Sequence, residues 1–204
     1  MSHDTIWAIV PVKYLAHTKT RLSSVLSYKR RAEVTLMLLN RQLQLLDQCQ
    51  AIDNVLVVSR DSRVQALVSS WDCDLFKESE PPDLNVALHE SYHMVGDAAD
   101  YCLILPSDLP LFSAESLDQL LTTLPTAAIC PDKAHNGTNA LLLPTQTNFQ
   151  FRFGIDSYRK HCKSFDQVSV SYHTLHLPEI EFDLDTPSDW WTWQTTLGQT
   201  PLAH

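Results

Sequence analysis

Three cationic side chains follow the first apolar segment of the chain, in an arrangement that suits a phosphorylated ligand. Residues 6–12 read Ile-Trp-Ala-Ile-Val-Pro-Val, and Lys13, Lys19 and Arg21 come after them. In an open parallel sheet, ligands bind outside the carboxyl ends of the strands. We therefore expect these cations to point into a crevice in which a polyphosphate binds.

Acidic side chains occupy comparable positions later in the chain. Asp108 follows an apolar run at residues 101–105, and Asp183 and Asp185 precede the last helical segment. Magnesium in proteins usually takes one or two carboxylates, together with substrate phosphate oxygens and water. The sequence therefore predicts a magnesium site formed by these aspartates, opposite the cations.

Glycine is scarce, with four in the chain, so each glycine indicates a backbone requirement. Gly137 lies in His-Asn-Gly-Thr-Asn at residues 135–139, and Gly154 ends Phe-Arg-Phe-Gly at residues 151–154. Backbone amides and short polar side chains in both stretches suit a small anion, although ordinary tight turns would explain either stretch alone. The chain contains neither a P-loop nor the glycine pattern of a dinucleotide-binding fold.

A different chemistry is suggested by His89-Glu90-Ser91-Tyr92-His93, which matches the His-Glu-x-x-His pattern of zinc metallohydrolases. Gly96 also fits the longer form of that motif, but Ala99 stands where its third histidine belongs. A helix between two sheet strands is a poor setting for such a site. We keep a zinc metallohydrolase as the alternative function.

Apolar runs alternate with segments of helical periodicity along most of the chain. The predicted strands are residues 6–12, 55–58, 74–77, 101–105, 127–130 and 140–143. The predicted helices are residues 27–48, 62–70, 84–95, 113–121 and about 187–197. Continuous apolar strands between helices indicate a three-layer α/β fold with a mainly parallel sheet. No linker or repeat is visible, so we predict one domain over residues 1–204.

The last predicted helix begins with residues that are typical of a helix amino terminus. Thr186 is the expected N-cap, Pro187 the first helical residue and Asp189 an acidic residue in the first turn. Trp190, Trp191 and Trp193 follow. We expect them to dock the helix on the domain or to form a homodimer contact.

Composition limits the partners and the location. The net charge of the 204 residues is −9, although residues 1–32 hold six basic side chains and one acidic side chain, so a nucleic-acid partner is disfavoured. No apolar run approaches the roughly 20 residues of a membrane-spanning helix. Without a secretory signal, and with five scattered cysteines, the chain is predicted to be a cytoplasmic protein with reduced thiols.

Six motifs occur in one order and together resemble the 2-phospho-L-lactate guanylyltransferase family, the nucleotidyltransferases of deazaflavin coenzyme F-420 biosynthesis. The motifs are Val-Pro-Val-Lys with Lys-Thr-Arg-Leu (10–22), Leu-Asn-x-Ala-Leu (84–88), Leu-Pro-Ser-Asp-Leu-Pro-Leu (105–111), Gly-Thr-Asn-Ala-Leu-Leu-Leu (137–143), Phe-Arg-Phe-Gly with Ser157 (151–157) and Asp-Leu-Asp-Thr-Pro (183–187). The resemblance runs from about residue 6 to residue 193. It implies a GT-A-like nucleotidyltransferase fold.

The resemblance also implies the substrates and the residues that hold them. GTP would be the donor and a small phosphorylated three-carbon acid the acceptor: 2-phospho-L-lactate, phosphoenolpyruvate or a phosphoglycerate. The implied nucleotide ligands are Lys13, Lys19, Arg21 and Asn85, and the implied magnesium ligands are Asp108 and Asp185. Catalysis would rest on Asp108 and Asp185 through the metal and on charge neutralisation by Lys19 and Arg21. The implied acceptor pocket comprises Thr138, Asn139, Gly154 and Ser157. Pro81-Pro82-Asp83 replaces a glycine-rich turn that is common in the family, so a related transferase with another nucleotide donor also stays open.

Overall fold

The computed structural model describes residues 4–80 and 82–196. Their strands form one seven-stranded sheet in the order β3-β2-β1-β4-β6-β5-β7. The strands are β1 (Ile6–Pro11), β2 (Asn54–Val58), β3 (Asp74–Phe76), β4 (Tyr101–Ile104), β5 (Ala127–Pro131), β6 (Thr138–Pro144) and β7 (Tyr172–Thr174). Pro81 of the Pro-Pro-Asp turn and Leu197 of the predicted last helix lie outside the described residues.

Helices cover both faces of this sheet. They are α1 (Tyr28–Asp47), α2 (Ser62–Val68), α3 (Leu84–Val95), α4 (Ala114–Leu121), α5 (Ser157–Gln167), α6 (Pro178–Glu181) and α7 (Pro187–Thr196). Buried side chains of α1, α2, α4 and α6 pack on one face, and those of α3 and α5 pack on the other. Successive side chains of β1 point to opposite faces of the sheet. Ala8 and Val10 pack with α1, α2, α4 and α6, and Ile9 packs with α3 and α5. The predicted three-layer α/β fold is confirmed.

Strand β6 is antiparallel to its neighbours, and this direction determines which residues meet at one edge of the sheet. β1 pairs in parallel with β2 and β4, whereas β6 pairs antiparallel with both β4 and β5. The amino end of β6 therefore lies at the same sheet edge as the carboxyl ends of β1, β4 and β5. Thr138, the first residue of β6, is thereby brought beside Asp108, which lies just beyond β4.

The predicted helices and strands with clear apolar patterns are present with small shifts at their ends. Helix α1 begins after the N-cap Ser27, and Ser113 with Ser116 forms a reciprocal capping box at α4. Three elements between residues 145 and 182 were not predicted: α5, β7 and α6. Helix α5 buries three polar side chains beside Phe165, so it lacks the apolar periodicity that reveals a helix. Strand β7 has only three residues and α6 only four.

Helix α7 docks through two of its tryptophans. Trp190 and Trp193 are buried with Leu22, Leu26 and Leu184 in a third apolar cluster, as the docking interpretation predicts. Trp191 is 58% exposed on the same helix, and a homodimer contact there stays a prediction.

The start of α7 and the cysteines also match their expectations. Asp189 accepts hydrogen bonds from the backbone amide and the hydroxyl of Thr186 at 2.7 Å each, which is the expected cap.

All five cysteines are free thiols. Over residues 4–80 and 82–196, no helix combines the length and the apolar character that crossing a bilayer demands.

The two tryptophans of α7 provide a matched test of this docking. We expect Trp193→Ala to lower the free energy of unfolding by about 3–5 kcal/mol, because it empties a buried site. Trp191→Ala removes an exposed ring and is expected to change it by less than about 0.5 kcal/mol in the monomer. Urea unfolding of both variants measures the difference, and equal losses would contradict the docking described here.

Candidate active site

The main cavity lies at the sheet edge where β1, β4 and β5 end and β6 begins. Its volume is about 380 Å³. Ten of the eleven residues predicted for the site line it: Lys13, Lys19, Arg21, Asp108, Thr138, Asn139, Gly154, Ser157, Asp183 and Asp185. The exception is Asn85. Sequence reasoning therefore identified one contiguous place in the folded chain.

Lys19 is buried at the floor of this cavity, with only 7% of its surface exposed. Its backbone is left-handed, with φ 49°, between two short 3-10 segments at Leu15–His17 and Thr20–Ser24. The ammonium Nζ donates to the Leu184 carbonyl at 2.7 Å and lies 4.0 Å from Asp108 Oδ2. Burial lowers the pKa of Lys19, and the neighbouring carboxylates oppose that shift. Lys19 is therefore committed to the protein's own carboxylates more than to solvent.

The other two predicted cations are exposed. Lys13 follows β1 on the cavity wall, and the Arg21 side chain is 72% exposed while its Nη1 donates to Asp185 Oδ2 at 2.8 Å. Both side chains are therefore free to reorient toward a bound anion at little cost. The three cations divide into one buried partner of the carboxylates, Lys19, and two exposed groups at the rim, Lys13 and Arg21.

The predicted aspartates converge as expected for a cation site. The Leu184 amide donates to the Asp108 carbonyl at 2.9 Å, which holds Asp183 and Asp185 against the end of β4. The pKa of Asp183 is raised to about 6, first by burial and then by the negative charge of Asp108, with Asp185 and Asp132 adding to it. Such mutual repulsion is what a bound divalent cation relieves.

Asp132 belongs to the same group and was missed by sequence reasoning. It follows β5, so the strand-end argument that identified Asp108 applies to it equally. Asp132 Oδ1 accepts from the Asn136 amide at 2.8 Å, and a Cβ at Gly137 would approach Asp132 Oδ2 to 2.7 Å. Any side chain at position 137 would therefore displace the Asp132 carboxylate. This close approach to Asp132 is a physical reason for a glycine at position 137.

The opposite wall of the cavity is organised by His161, a buried residue that the sequence did not single out. Its Nε2 accepts from the Arg152 amide at 2.8 Å, so Nδ1 carries the proton and donates to Thr138 Oγ1 at 2.9 Å. Burial lowers the pKa of His161 to about 3, which keeps the ring neutral. His161 thereby joins β6 to the loop before α5, which contains Gly154 at φ +116°.

Two predicted side chains have partners inside the protein. Asn139 Nδ2 donates to the carbonyls of Ile180 and Glu181 at 2.9 and 3.2 Å, so it fastens the segment that leads to Asp183. The Asn85 amide pairs with both backbone groups of Phe153 and lines a neighbouring surface cavity instead of the main one. A role for Asn85 beside a nucleoside stays a prediction. Its observed contact holds the loop in place.

The His-Glu-x-x-His segment lies on α3 and does not line the main cavity. The rings of His89 and His93 are 6.4 Å apart, and the edge of His89 packs on Phe151. The Glu90 carboxylate accepts from Ser79 Oγ. Within the described residues, neither histidine belongs to a group of three side chains placed to hold a metal ion. The metallohydrolase alternative is not favoured.

Solved structures of other proteins share this fold. A putative nucleotide-diphospho-sugar transferase from Desulfovibrio desulfuricans superposes with a TM-score of 0.73 at 19% identity, covering 98% of this chain and 90% of that one. A 4-diphosphocytidyl-2C-methyl-D-erythritol synthase from Anaerococcus prevotii gives a TM-score of 0.68 at 11% identity, covering 97% of each chain. At these identities the likeness establishes the fold.

Sequence comparison resolves the family. Residues 6–192 match the family described as guanylyl transferase CofC like, and the chain belongs to that family. It is 37% identical to a phosphoenolpyruvate guanylyltransferase from Roseiflexus castenholzii, over 90% of this chain and 85% of that protein. A 2-phospho-L-lactate guanylyltransferase from Methanosphaera stadtmanae is 26% identical over 91% of this chain and 82% of that protein. The resemblance inferred from the six motifs is confirmed.

The raised pKa of Asp183 predicts a stability cost in the chelator-treated protein. Because the folded-state pKa of about 6 exceeds the ordinary value of 3.8, ionisation opposes folding. The cost is complete above pH 6 and disappears as pH falls from 6 toward 3.8. After a discount for partial exposure, we expect Asp183→Asn to raise the free energy of unfolding at pH 7 by about 1–2 kcal/mol. Asp118→Asn, on an exposed position of α4, is the matched control and should change it little. A destabilised Asp183→Asn protein would contradict this electrostatic account.

His161 predicts a pH dependence of the opposite sign. Its folded-state pKa of about 3 lies below the ordinary histidine value of 6.5, so its contribution to stability is complete above pH 6.5 and is lost as pH falls toward 3. Between pH 6.5 and 5 the loss should reach about 2 kcal/mol. The measurement compares urea unfolding of the wild type and His161→Gln across this range. Parallel pH profiles for the two proteins would exclude the neutral buried ring.

Proposed function

We propose that this protein transfers GMP from GTP to the phosphate of a small phosphorylated three-carbon acid, with release of pyrophosphate. The observation that carries the proposal is the convergence of Asp108, Asp183 and Asp185 with Lys13, Lys19 and Arg21 in one cavity. Family membership supports guanylyl transfer, and the name of the relative at 37% identity makes phosphoenolpyruvate the first acceptor to test. This reaction belongs to deazaflavin coenzyme F-420 biosynthesis in the family that the chain resembles.

Magnesium fits the donor set of this site. Asp108, Asp183 and Asp185 line one cavity and supply hard oxygen ligands, and the negative charge of its neighbours adds to burial in raising the pKa of Asp183. When bound there, magnesium would neutralise charge on the phosphates of the nucleotide. Lys19 holds two of the segments that carry these carboxylates, through its contacts with Leu184 and Asp108.

The acceptor site fits the opposite wall. Helix α5 begins at Ser157, directly after Gly154 and the left-handed Asp156, so its amino terminus lies at the cavity. A helix amino terminus favours a bound anion such as a carboxylate or phosphate. Thr138 and Asn139 face this end from β6. We infer that this wall orients the acid while its phosphate faces the nucleotide.

The chemical step requires positioning and charge neutralisation more than proton removal. An oxygen of the acceptor's phosphate attacks the α-phosphorus of GTP in line, a new P–O bond forms, and the bond from that phosphorus to the bridging oxygen breaks. Pyrophosphate carries away the bonding pair. A phosphate monoester is already ionised near neutral pH and needs no strong base. Lys13 and Arg21, exposed at the rim, are placed to neutralise the phosphates.

The test is pyrophosphate release from GTP with magnesium, using phosphoenolpyruvate, 2-phospho-L-lactate and a phosphoglycerate in parallel. We expect Asp108→Asn to lower kcat/KM at least about 100-fold, and Lys13→Ala to cost less because a neighbouring cation remains. Asp118→Asn is the control, and a chelator should abolish turnover.

Two outcomes would overturn the assignment. Near-normal turnover of a folded Asp108→Asn protein would exclude the proposed magnesium site. Turnover with CTP or UTP above that with GTP would retain the nucleotidyltransferase and replace the proposed donor.

A further inference from the structure

A second group of ligand-type side chains lies beside the candidate active site, formed by His135, His176 and Glu181. One ring nitrogen from each histidine and one carboxylate oxygen lie within 4.8 Å of one another. His176 Nδ1 is 2.7 Å from Glu181 Oε1, and the two imidazole rings stack with their centroids 4.9 Å apart. None of the three lines the main cavity.

The protein itself holds these side chains together. His135 has a left-handed backbone, with φ 55°, and its amide donates to the Asp132 carbonyl at 2.9 Å. The Tyr158 ring packs edge-on against the His135 ring. The Lys133 amide donates to the Glu181 carbonyl at 2.9 Å, which joins the two segments that carry the ligands. The group is therefore held by hydrogen bonds and packing from three separate parts of the chain: residues 132–135, Tyr158 and residues 176–181.

The chemistry of this donor set differs from that of the aspartate cluster. Two imidazoles and one carboxylate are ligands that zinc and similar ions prefer, whereas magnesium prefers oxygen ligands alone. We propose that His135, His176 and Glu181 bind a divalent transition-metal ion of the zinc class, with water in the fourth position. Metal–ligand bonds of about 2.0–2.2 Å require the donor atoms to draw together slightly, and both histidine side chains are exposed enough to adjust.

From its position, an ion bound at this site would join two segments that line the main cavity. The loop that carries His135 also carries Asp132 and Gly137, which line the main cavity, and Glu181 lies two residues before Asp183. An ion held by both segments therefore links two walls of the cavity across the sheet edge. Because the metal binds only the folded chain in this geometry, it also stabilises the fold.

The experiment uses the full, tag-free chain stripped with a chelator that is then removed. Calorimetric titration with Zn²⁺ alone should show one equivalent bound per chain. Co²⁺ bound in its place should give the visible absorption typical of a four-coordinate site. His135→Ala and His176→Ala should each weaken Zn²⁺ binding at least about tenfold. His173→Ala, an exposed histidine of β7 outside the group, is the matched control and should bind normally.

Two further arms separate this site from others in the chain. A His89→Ala/His93→Ala double variant and Asp108→Asn should each retain the wild-type Zn²⁺ affinity, and Mg²⁺ in large excess should not displace the ion. Zn²⁺ should also raise the thermal midpoint of the wild type but not that of His176→Ala. Absence of stoichiometric binding, or binding that His135→Ala and His176→Ala leave intact, would overturn the proposal. Neither result depends on guanylyl transfer, which is measured separately.

Discussion

Burial of the Lys19 ammonium is the constraint on which the rest of the site depends. An ammonium removed from water requires both hydrogen-bond acceptors and compensating negative charge. It finds an acceptor in the Leu184 carbonyl and negative charge in the aspartates around it, led by Asp108. These partners come from segments about 90 and 165 residues away in the sequence, so one charge joins the loop after β1, the end of β4 and the approach to α7. None of these segments can move far without exposing or isolating that charge.

The carboxylates and the opposite wall show two different solutions to burying polar groups. His161 satisfies both ring nitrogens within the protein and remains neutral, so its burial rigidifies the wall. Asp183 is buried beside other carboxylates, and its pKa is raised first by that burial and then by their negative charge. Burying an ionised carboxylate beside like charges costs stability, and a bound cation would reduce that cost. One wall of the cavity is thus held by satisfied hydrogen bonds, and the other concentrates negative charge.

The sequence predicted those parts of the structure that depend on apolar patterns and on strand ends. Helix α1 and strand β4 bury long apolar stripes, so their residues identify them, and Asp108 follows from its position after β4. Helix α5 was missed because it buries His161 and other polar residues, whose partners belong to distant segments. The reversal of β6 was equally hidden, since an apolar run does not specify strand direction. Asn85 shows the remaining limit, because its backbone partner at Phe153 is set by tertiary packing.

The sheet ends on each side in a very short strand, β3 at one edge and β7 at the other, with three residues apiece. An edge strand presents unpaired amide and carbonyl groups that can recruit a strand from another molecule. Three residues offer too few such groups to hold an additional strand in register. The same brevity that hid β7 in the sequence therefore protects a seven-stranded sheet from edge-to-edge aggregation.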